Sequence, residues 1–453
     1  MKSRLKMMEQ EKVSVVLLKF GVPSIIGFTI TAIYNFVDAI FIGGLGTNAI
    51  GAMAVVFPIS FIMIGIGLLF GSGAASYISR LLGEKHFEKA SNLAMITIIL
   101  SVIVGTFVII LSLIFIKPYL YFLGATDKIM PYAIDYGYIF IVGSIFSILN
   151  ITLNHIIRAE GAMNFSMICL ILGAVVNILL DPILIYSLNL GIKGAAIATL
   201  ISQALSTILL FLFLKSNKSS INVNIKDAKF VGKDCIEMIK VGIPYCLAQI
   251  LAGISMGLIN SGAATYGEVA VASAGIANRI YSVGIYAMIG FSKGYQPIAG
   301  FNYGAKNIRR VRDLTKYAVL YSTCFCVLLA LVQIVFSEAI VSIFTRDQNV
   351  IDLGGRFLKS CSYALPLFGV QIIYSTLFLS IGKAFKGFIL SLGRQGYFLI
   401  PTIMILPNFW GIKGVIVAQP IADYFTAILT IVFCFGLNSV LSNKELEVER
   451  KVA

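Results

Sequence analysis

Three acidic residues lie well inside long apolar stretches of this chain: Asp38, Asp181 and Asp423. A carboxylate near the centre of a bilayer costs roughly 2.5–3.5 kcal/mol on insertion scales, so it is kept where it faces a wet or protein-lined interior and has work to do there. Asp38 sits at the far end of the first apolar stretch, in Tyr34-Asn35-Phe36-Val37-Asp38-Ala39-Ile40-Phe41-Ile42-Gly43. Asp181 sits in Asn177-Ile178-Leu179-Leu180-Asp181-Pro182, where Asn177 and Asp181, four apart, share one helix face. Pro182 cannot donate to the Ile178 carbonyl and disfavours helical geometry at Asp181, which leaves backbone oxygen available locally. Thr199 follows Ala195-Ala196-Ile197-Ala198, small residues that let helices approach closely. At 1.5 Å per residue Asp181 lies roughly 21 Å beyond a start near Met167, and Thr199 roughly 10 Å below an opposite start near Ile192, so both fall in the half of the bilayer that holds Asp38. Two carboxylates, an amide and a hydroxyl form an all-oxygen set suited to a hard cation, and two desolvated carboxyls in one site can hold a proton between them. The plainer reading has Asp38 capping a helix end near Gly43 and Asp181 merely preceding a turn.

The elements that must position these groups are membrane helices. The chain is 58% hydrophobic and only 12% charged, with mean hydropathy +0.93, which excludes an ordinary soluble fold of this length. Apolar windows of about 20 residues, enough to span the hydrocarbon, recur at 16–38, 50–76, 93–116, 131–155, 165–188, 192–214, 241–262, 271–292, 316–337, 357–380, 387–409 and 412–436. The predicted fold is an all-α polytopic membrane protein of twelve transmembrane helices. With the N-terminus inside, the inner segments, taken with the inner span ends at Lys19 and Lys316, hold 26 of the 35 Lys and Arg residues; the outer loops hold six, and Arg279, Lys359 and Arg394 fall elsewhere in spans. Basic loops stay cytoplasmic, so both termini are expected there. No separate signal peptide is expected, since Met1-Lys2-Ser3-Arg4 runs through an amphipathic stretch directly into the first apolar segment.

The chain repeats itself. Lys19, Gly21 and Pro23 recur as Lys240, Gly242 and Pro244; Gly73, Gly83 and Lys85 recur as Gly294, Gly304 and Lys306; Gly191-Ile192-Lys193-Gly194 recurs as Gly411-Ile412-Lys413-Gly414. An offset of 220 or 221 residues at separated places implies two parallel six-helix repeats related by a pseudo-twofold axis along the membrane normal, the two bundles facing a central cleft. The expected domains are an N-terminal bundle over 1–214, a cytoplasmic linker over 215–240 and a C-terminal bundle over 241–453. The linker carries Lys215, Lys218, Lys226, Lys229, Lys233 and Lys240.

Other groups point away from other functions. The net charge of +14 collects on inner segments such as Arg309-Arg310-Val311-Arg312, an anionic-lipid-facing pattern rather than a nucleic-acid surface. The seven cysteines have no metal-ligand spacing and read as packing residues, and His86 and His155 are too few and far apart for a metal site. Arg279 reads as a buried cation that pairs with Asp423 or with a carbonyl.

The residues resemble the multidrug and toxic compound extrusion (MATE) family, of bacterial type, from the first helix to the twelfth. The matching motifs are Val37-Asp38 with Gly43 and Gly46, Asn177-x-x-x-Asp181-Pro182, and the string Gly290-Phe291-Ser292-Lys293-Gly294-Tyr295-Gln296-Pro297-Ile298-Ala299-Gly300-Phe301-Asn302-Tyr303-Gly304-Ala305. The resemblance implies an antiporter, not an enzyme, that exports lipophilic and often cationic drugs and toxic compounds by alternating access. It would sit in the bacterial inner membrane, contribute to antibiotic resistance and act as a monomer, its partners small drug-like molecules and lipid. It implies that Asp38, Asn177, Asp181 and Thr199 bind the coupling proton or sodium, with no other metal and no cofactor. Tyr34 and Asn154 match cavity-lining positions of that half, and Pro23 and Gly27 the place where the first helix bends. Gln249, Met256, Tyr281 and Met288, with Phe291, would line an adaptable drug pocket. One branch of the family carries carboxylates on helices 7 and 10; here those helices offer Gln249, Asn260 and Gln371, and the repeat equivalents of Asp38 and Asp181 are Ile259 and Pro401. Coupling is therefore expected in the N-half alone. A flippase for a lipid-linked oligosaccharide shares the architecture and would differ in cavity charge and a lateral opening. An intramembrane aspartyl protease using Asp38 and Asp181 would need a Gly-x-Gly-Asp setting that is missing here.

Overall fold

The computed structural model describes residues 2–452, with the side chains of 4–226 and 228–436. The two end residues, Met1 and Ala453, to which the expectation of cytoplasmic termini refers, lie outside the described residues. Among the described residues the chain is helical with no strand. Its long helices are α1 (Val13–Gly43), α2 (Thr47–Gly83), α3 (Phe87–Ile114), α4 (Met130–Ala159), α5 (Met163–Pro182), α6 (Ile192–Lys215), α7 (Gly232–Ala264), α8 (Glu268–Gly304), α9 (Ile308–Val335), α10 (Gln348–Ser380), α11 (Ala384–Trp410, interrupted between Gln395 and Leu399) and α12 (Ile412–Gly436, the first part of a helix to Val452). Eleven of them, among the described residues, are long and apolar enough to cross a membrane; α8 is long enough but more polar, since it carries Asn278, Arg279, Ser282, Ser292, Lys293 and Gln296.

The repeated residues turn out to be turn and contact points. Gly191 and Gly411, which open α6 and α12, have φ of +55° and +57°, a conformation with no steric cost for glycine. Three residues on, a Cβ at Gly194 would lie 2.7 Å from the Leu184 carbonyl, and one at Gly414 would overlap the Leu406 carbonyl. The two Gly-Ile-Lys-Gly segments thus fold each bundle's sixth helix back onto the end of its fifth. Lys85 and Lys306, at φ 64° and 59°, close α2 and α8 with the same left-handed residue.

The chain forms two compact units: Met1–Met8 with Ile26–Gln249, and Glu9–Ile25 with Ile250–Ala453. In the first unit Gly73 of α2 takes the backbone of α7 at Met238–Gly242 against its bare Cα, and in the second Gly294 of α8 does the same with Phe20–Gly21 of α1. The opening segments of α1 and α7 therefore pack in the unit built mainly from the other repeat, and α1 changes unit at Ile25–Ile26, between Pro23 and Gly27. The expected linker is irregular up to α7, apart from a 3₁₀ turn at Ile225–Asp227, and is tied to the first unit. The Asn222 and Lys229 amides donate to Ser91 Oγ (3.0 Å) and Asn92 Oδ1 (2.7 Å), and Ser219 Oγ donates to Glu160 (2.9 Å). Burial pushes the Glu160 carboxyl up, opposed by the Ser220 amide, Arg4 and Ser219.

Candidate functional site

In the first unit α1 meets α5 at Gly27, where a Cβ would stand 3.0 Å from Leu170 Cδ1. Asp38 follows Gly27, and Asp181 follows Leu170, by 11 residues, which is close to three turns on either helix. The two acids thus recur on the faces that touch and at matching height. Asp38 is 8% exposed and Asp181 fully buried, and their carboxyls come within hydrogen-bond reach of each other. Helix α6 is held to α5 by Ser206 Oγ donating to the Cys169 carbonyl at 3.1 Å. That contact sets Thr199, half-buried, beside buried Asn177. Asn177 Nδ2 lies 3.5 Å from both Asp181 Oδ1 and Thr199 Oγ1, at the outer limit of a hydrogen bond. Asp38, Asn177, Asp181 and Thr199 are therefore one cluster.

Its electrostatics are unusual. As carboxylates neither acid can donate to the other, and Asp38 Oδ1, Asn177 Oδ1 and Asp181 Oδ2 have no donor. Among the described residues neither acid is in an ion pair. Buried acceptors without donors are costly, and the cost is removed by a proton between the carboxyls or by a small cation among the oxygens. No group of three or more His, Cys, Asp or Glu converges among the described residues. Sequence reasoning missed Tyr136 of α4, which is buried within electrostatic range of Asp38, Tyr34 and Asp181. Its signal was weak: it sits within a run of aromatics on an otherwise apolar helix.

The remaining expected residues are spread more widely. Tyr34 is half-buried on α1 near the cluster. Asn154 is buried in a network of its own, accepting from Ser166 Oγ at 2.7 Å and donating to Asn150 Oδ1 at 2.8 Å, with Arg158 Nε donating to Ser166 Oγ. Pro23 lies inside an unbroken α1. Gln249 is half-buried, Met256 is 44% exposed, and Tyr281 and Met288 are buried.

The second unit corrects one expectation. Asp423 pairs with Arg394, not with Arg279: Arg394 Nε stands 2.8 Å from Asp423 Oδ1, while Arg279 is on the surface of α8. Gln419 Nε2 donates to the same oxygen at 3.0 Å, Tyr281 O–H reaches Asp423 Oδ2 at 3.4 Å, and Arg394 donates to the Tyr281 hydroxyl at 3.0 Å. The guanidinium also lies 4.3 Å from the Phe368 ring centroid. Tyr281, expected in a drug pocket, is a member of this cluster.

The chain is 30% identical over 440 residues, 96% of each chain, to the multidrug export protein MepA of Staphylococcus haemolyticus. Its fold matches an outward-facing multidrug resistance MATE family transporter of the MOP superfamily (TM-score 0.91, 26% identity, 97% of this chain and 99% of that one). A MATE structure in the bent conformation matches equally well (TM-score 0.91, 26% identity, 98% and 99%). The MatE family model matches residues 23–183 and again 244–405, once in each repeat. This twelve-helix, two-repeat chain belongs to the MATE family of transporters.

Proposed function

We propose that the chain exports chemically diverse, lipophilic and often cationic small molecules across a bacterial plasma membrane, in exchange for a proton or sodium ion bound among Asp38, Asn177, Asp181 and Thr199. It works as a single chain with its ends in the cytoplasm and needs no cofactor. The observation that carries the reading is the set of three buried, donorless oxygens on two carboxyls and an amide. A cation relieves that arrangement, and a cation that binds the two alternating-access conformations unequally supplies the coupling. The multidrug export name of a relative matched over 96% of both chains supports the substrate class. The test is efflux of a fluorescent cationic dye from vesicles, with pH and sodium gradients imposed separately. One gradient should drive export by the wild-type chain, and Asp181→Asn should remove that dependence. Export independent of both gradients would contradict the proposal.

A further inference from the structure

Beyond the carboxyl pair, α5 does not continue as an α-helix. Pro182 supplies no N–H, and the next five residues, Ile183–Ser187, wind as a π turn, closed by the Leu188 amide donating to the Ile183 carbonyl at 2.9 Å. Single π turns inside helices commonly mark functional positions. This one delivers Tyr186, five residues after Asp181, to the end of α1. There the Tyr186 hydroxyl donates to the Phe41 carbonyl at 2.6 Å, three residues after Asp38, and the two rings meet edge to face with centroids 6.4 Å apart. Gly44 makes room for the hydroxyl, since a Cβ there would overlap it. Its backbone lies outside the left-handed region, so the space, not the conformation, calls for glycine.

The second unit has a brace of the same kind with the roles exchanged. Tyr266, just past the end of α7, donates its hydroxyl to the Pro407 carbonyl on α11 at 3.2 Å. Each unit thus ties the end of its first repeat helix to its fifth by one tyrosine-to-carbonyl bond, but behind that bond the first unit has Asp38 and Asp181 where the second has Ile259 and Pro401.

We infer that Tyr186 is a positioning residue for cation coupling: from the π turn it braces α1 against α5 through the Phe41 carbonyl and the space above Gly44, and so holds Asp38 at the distance from Asp181 that takes a cation. The inference rests on the coupling site proposed above. The Asp38 and Asp181 side chains come from different helices, and Gly27–Leu170 and Phe41–Tyr186 bracket them on either side. Loosening the second contact lets the α1 end move away while the first contact keeps the helix packed.

The experiment uses full-length protein in vesicles and reads two quantities: the half-saturating concentration of the coupling cation in dye efflux, and the dye dissociation constant. Tyr186→Phe removes one hydrogen bond, so it should raise the half-saturating cation concentration about fivefold. Dye affinity should stay within about twofold, because the brace does not touch the dye. Gly44→Ala should shift the cation value in the same direction. Adding Tyr186→Phe to Gly44→Ala should bring no further loss, because the hydroxyl that the new methyl meets is then gone. Tyr266→Phe should leave cation dependence unchanged. An unshifted cation value in Tyr186→Phe overturns the brace, as do parallel losses of cation and dye affinity, additive losses in the double variant, or an equal shift in Tyr266→Phe. Asp181→Asn in the same assay separates the two claims. If it abolishes coupling while Tyr186→Phe changes nothing, the brace alone fails; if it leaves coupling intact, the coupling site fails and the brace with it.

Discussion

The two units each bury acid deep among their helices, and they treat it in opposite ways. In the first, Asp38 and Asp181 face each other with an amide and a hydroxyl, and three oxygens lack a donor. In the second, Asp423 receives Arg394 at 2.8 Å and Gln419 at 3.0 Å, and Tyr281 reaches its other oxygen. A buried charge with its opposite in place is internally neutral and has no charge left to offer a passing cation. A buried pair of like groups is left short of positive charge by one proton or one ion. The repeat makes the helices similar, and the side chains at these depths decide which unit can exchange a cation. The proposed coupling is accordingly assigned to the first unit alone, with the second cluster proposed as a structural pin.

The contrast is sharpest in the sign of a neutralising substitution. Asp38→Asn and Asp181→Asn should reduce cation-driven efflux to background while the protein remains inserted and no less resistant to heat, because an unpartnered buried charge has been removed. A thermal midpoint in detergent that falls clearly below wild type would break the comparison at this point. In the second unit the expected effect is reversed: Asp423→Ala leaves the Arg394 guanidinium buried without its acid and should cost about 3–5 kcal/mol, read as a loss of folded protein in the same thermal assay. Adding Arg394→Met should recover much of that loss, since an apolar pair in place of a buried ion pair is commonly close to neutral.

Smaller effects should separate the two neutral groups within the proposed coupling site. Asn177 is fully buried between an acid and a hydroxyl, whereas Thr199 is only half-buried. Asn177→Ala should therefore weaken the apparent affinity for the driving cation by about tenfold and Thr199→Ala by a few-fold, each within the range of a hydrogen-bond-sized contribution. Half-saturation measured against imposed cation gradients checks both, and equal effects from the two would place Thr199 deeper in the site than its exposure indicates.

Much of this was legible from the residues. Helix length and hydropathy are local properties, so the helices and the repeat could be read directly. The four-residue spacing of Asn177 and Asp181, with the depth arithmetic for Thr199, pointed to the cluster because turns of helix count out distance reliably. The partner of Asp423 was not legible. Arg394 lies 29 residues away on a neighbouring helix, and a helix apolar on all sides has no polar face to show which way it is rotated. For the same reason Arg279 read as buried from its apolar surroundings, yet it is exposed. Tyr136 and the Tyr186 brace were missed because both depend on contacts between helices rather than on spacing within one. The exchange of the opening segments of α1 and α7 between units left only a trace in sequence, the paired glycines Gly21 with Gly242 and Gly73 with Gly294: a Cβ at Gly73, Gly242 or Gly294 would meet another backbone, and one at Gly21 would meet the Phe291 ring.

The claim that only the first unit couples is tested most directly by the number of cations exchanged per drug molecule, measured as a reversal potential in vesicles for Asp423→Asn. That variant keeps an acceptor oxygen for Arg394 Nε and so is the one expected to remain folded. It should show the wild-type ratio, even with a reduced rate, while Asp181→Asn shows no cation-driven flux from which a ratio could be obtained. A lower ratio for Asp423→Asn, at wild-type levels of inserted protein, would show a second coupling site in the Arg394 cluster and contradict the division of roles between the units.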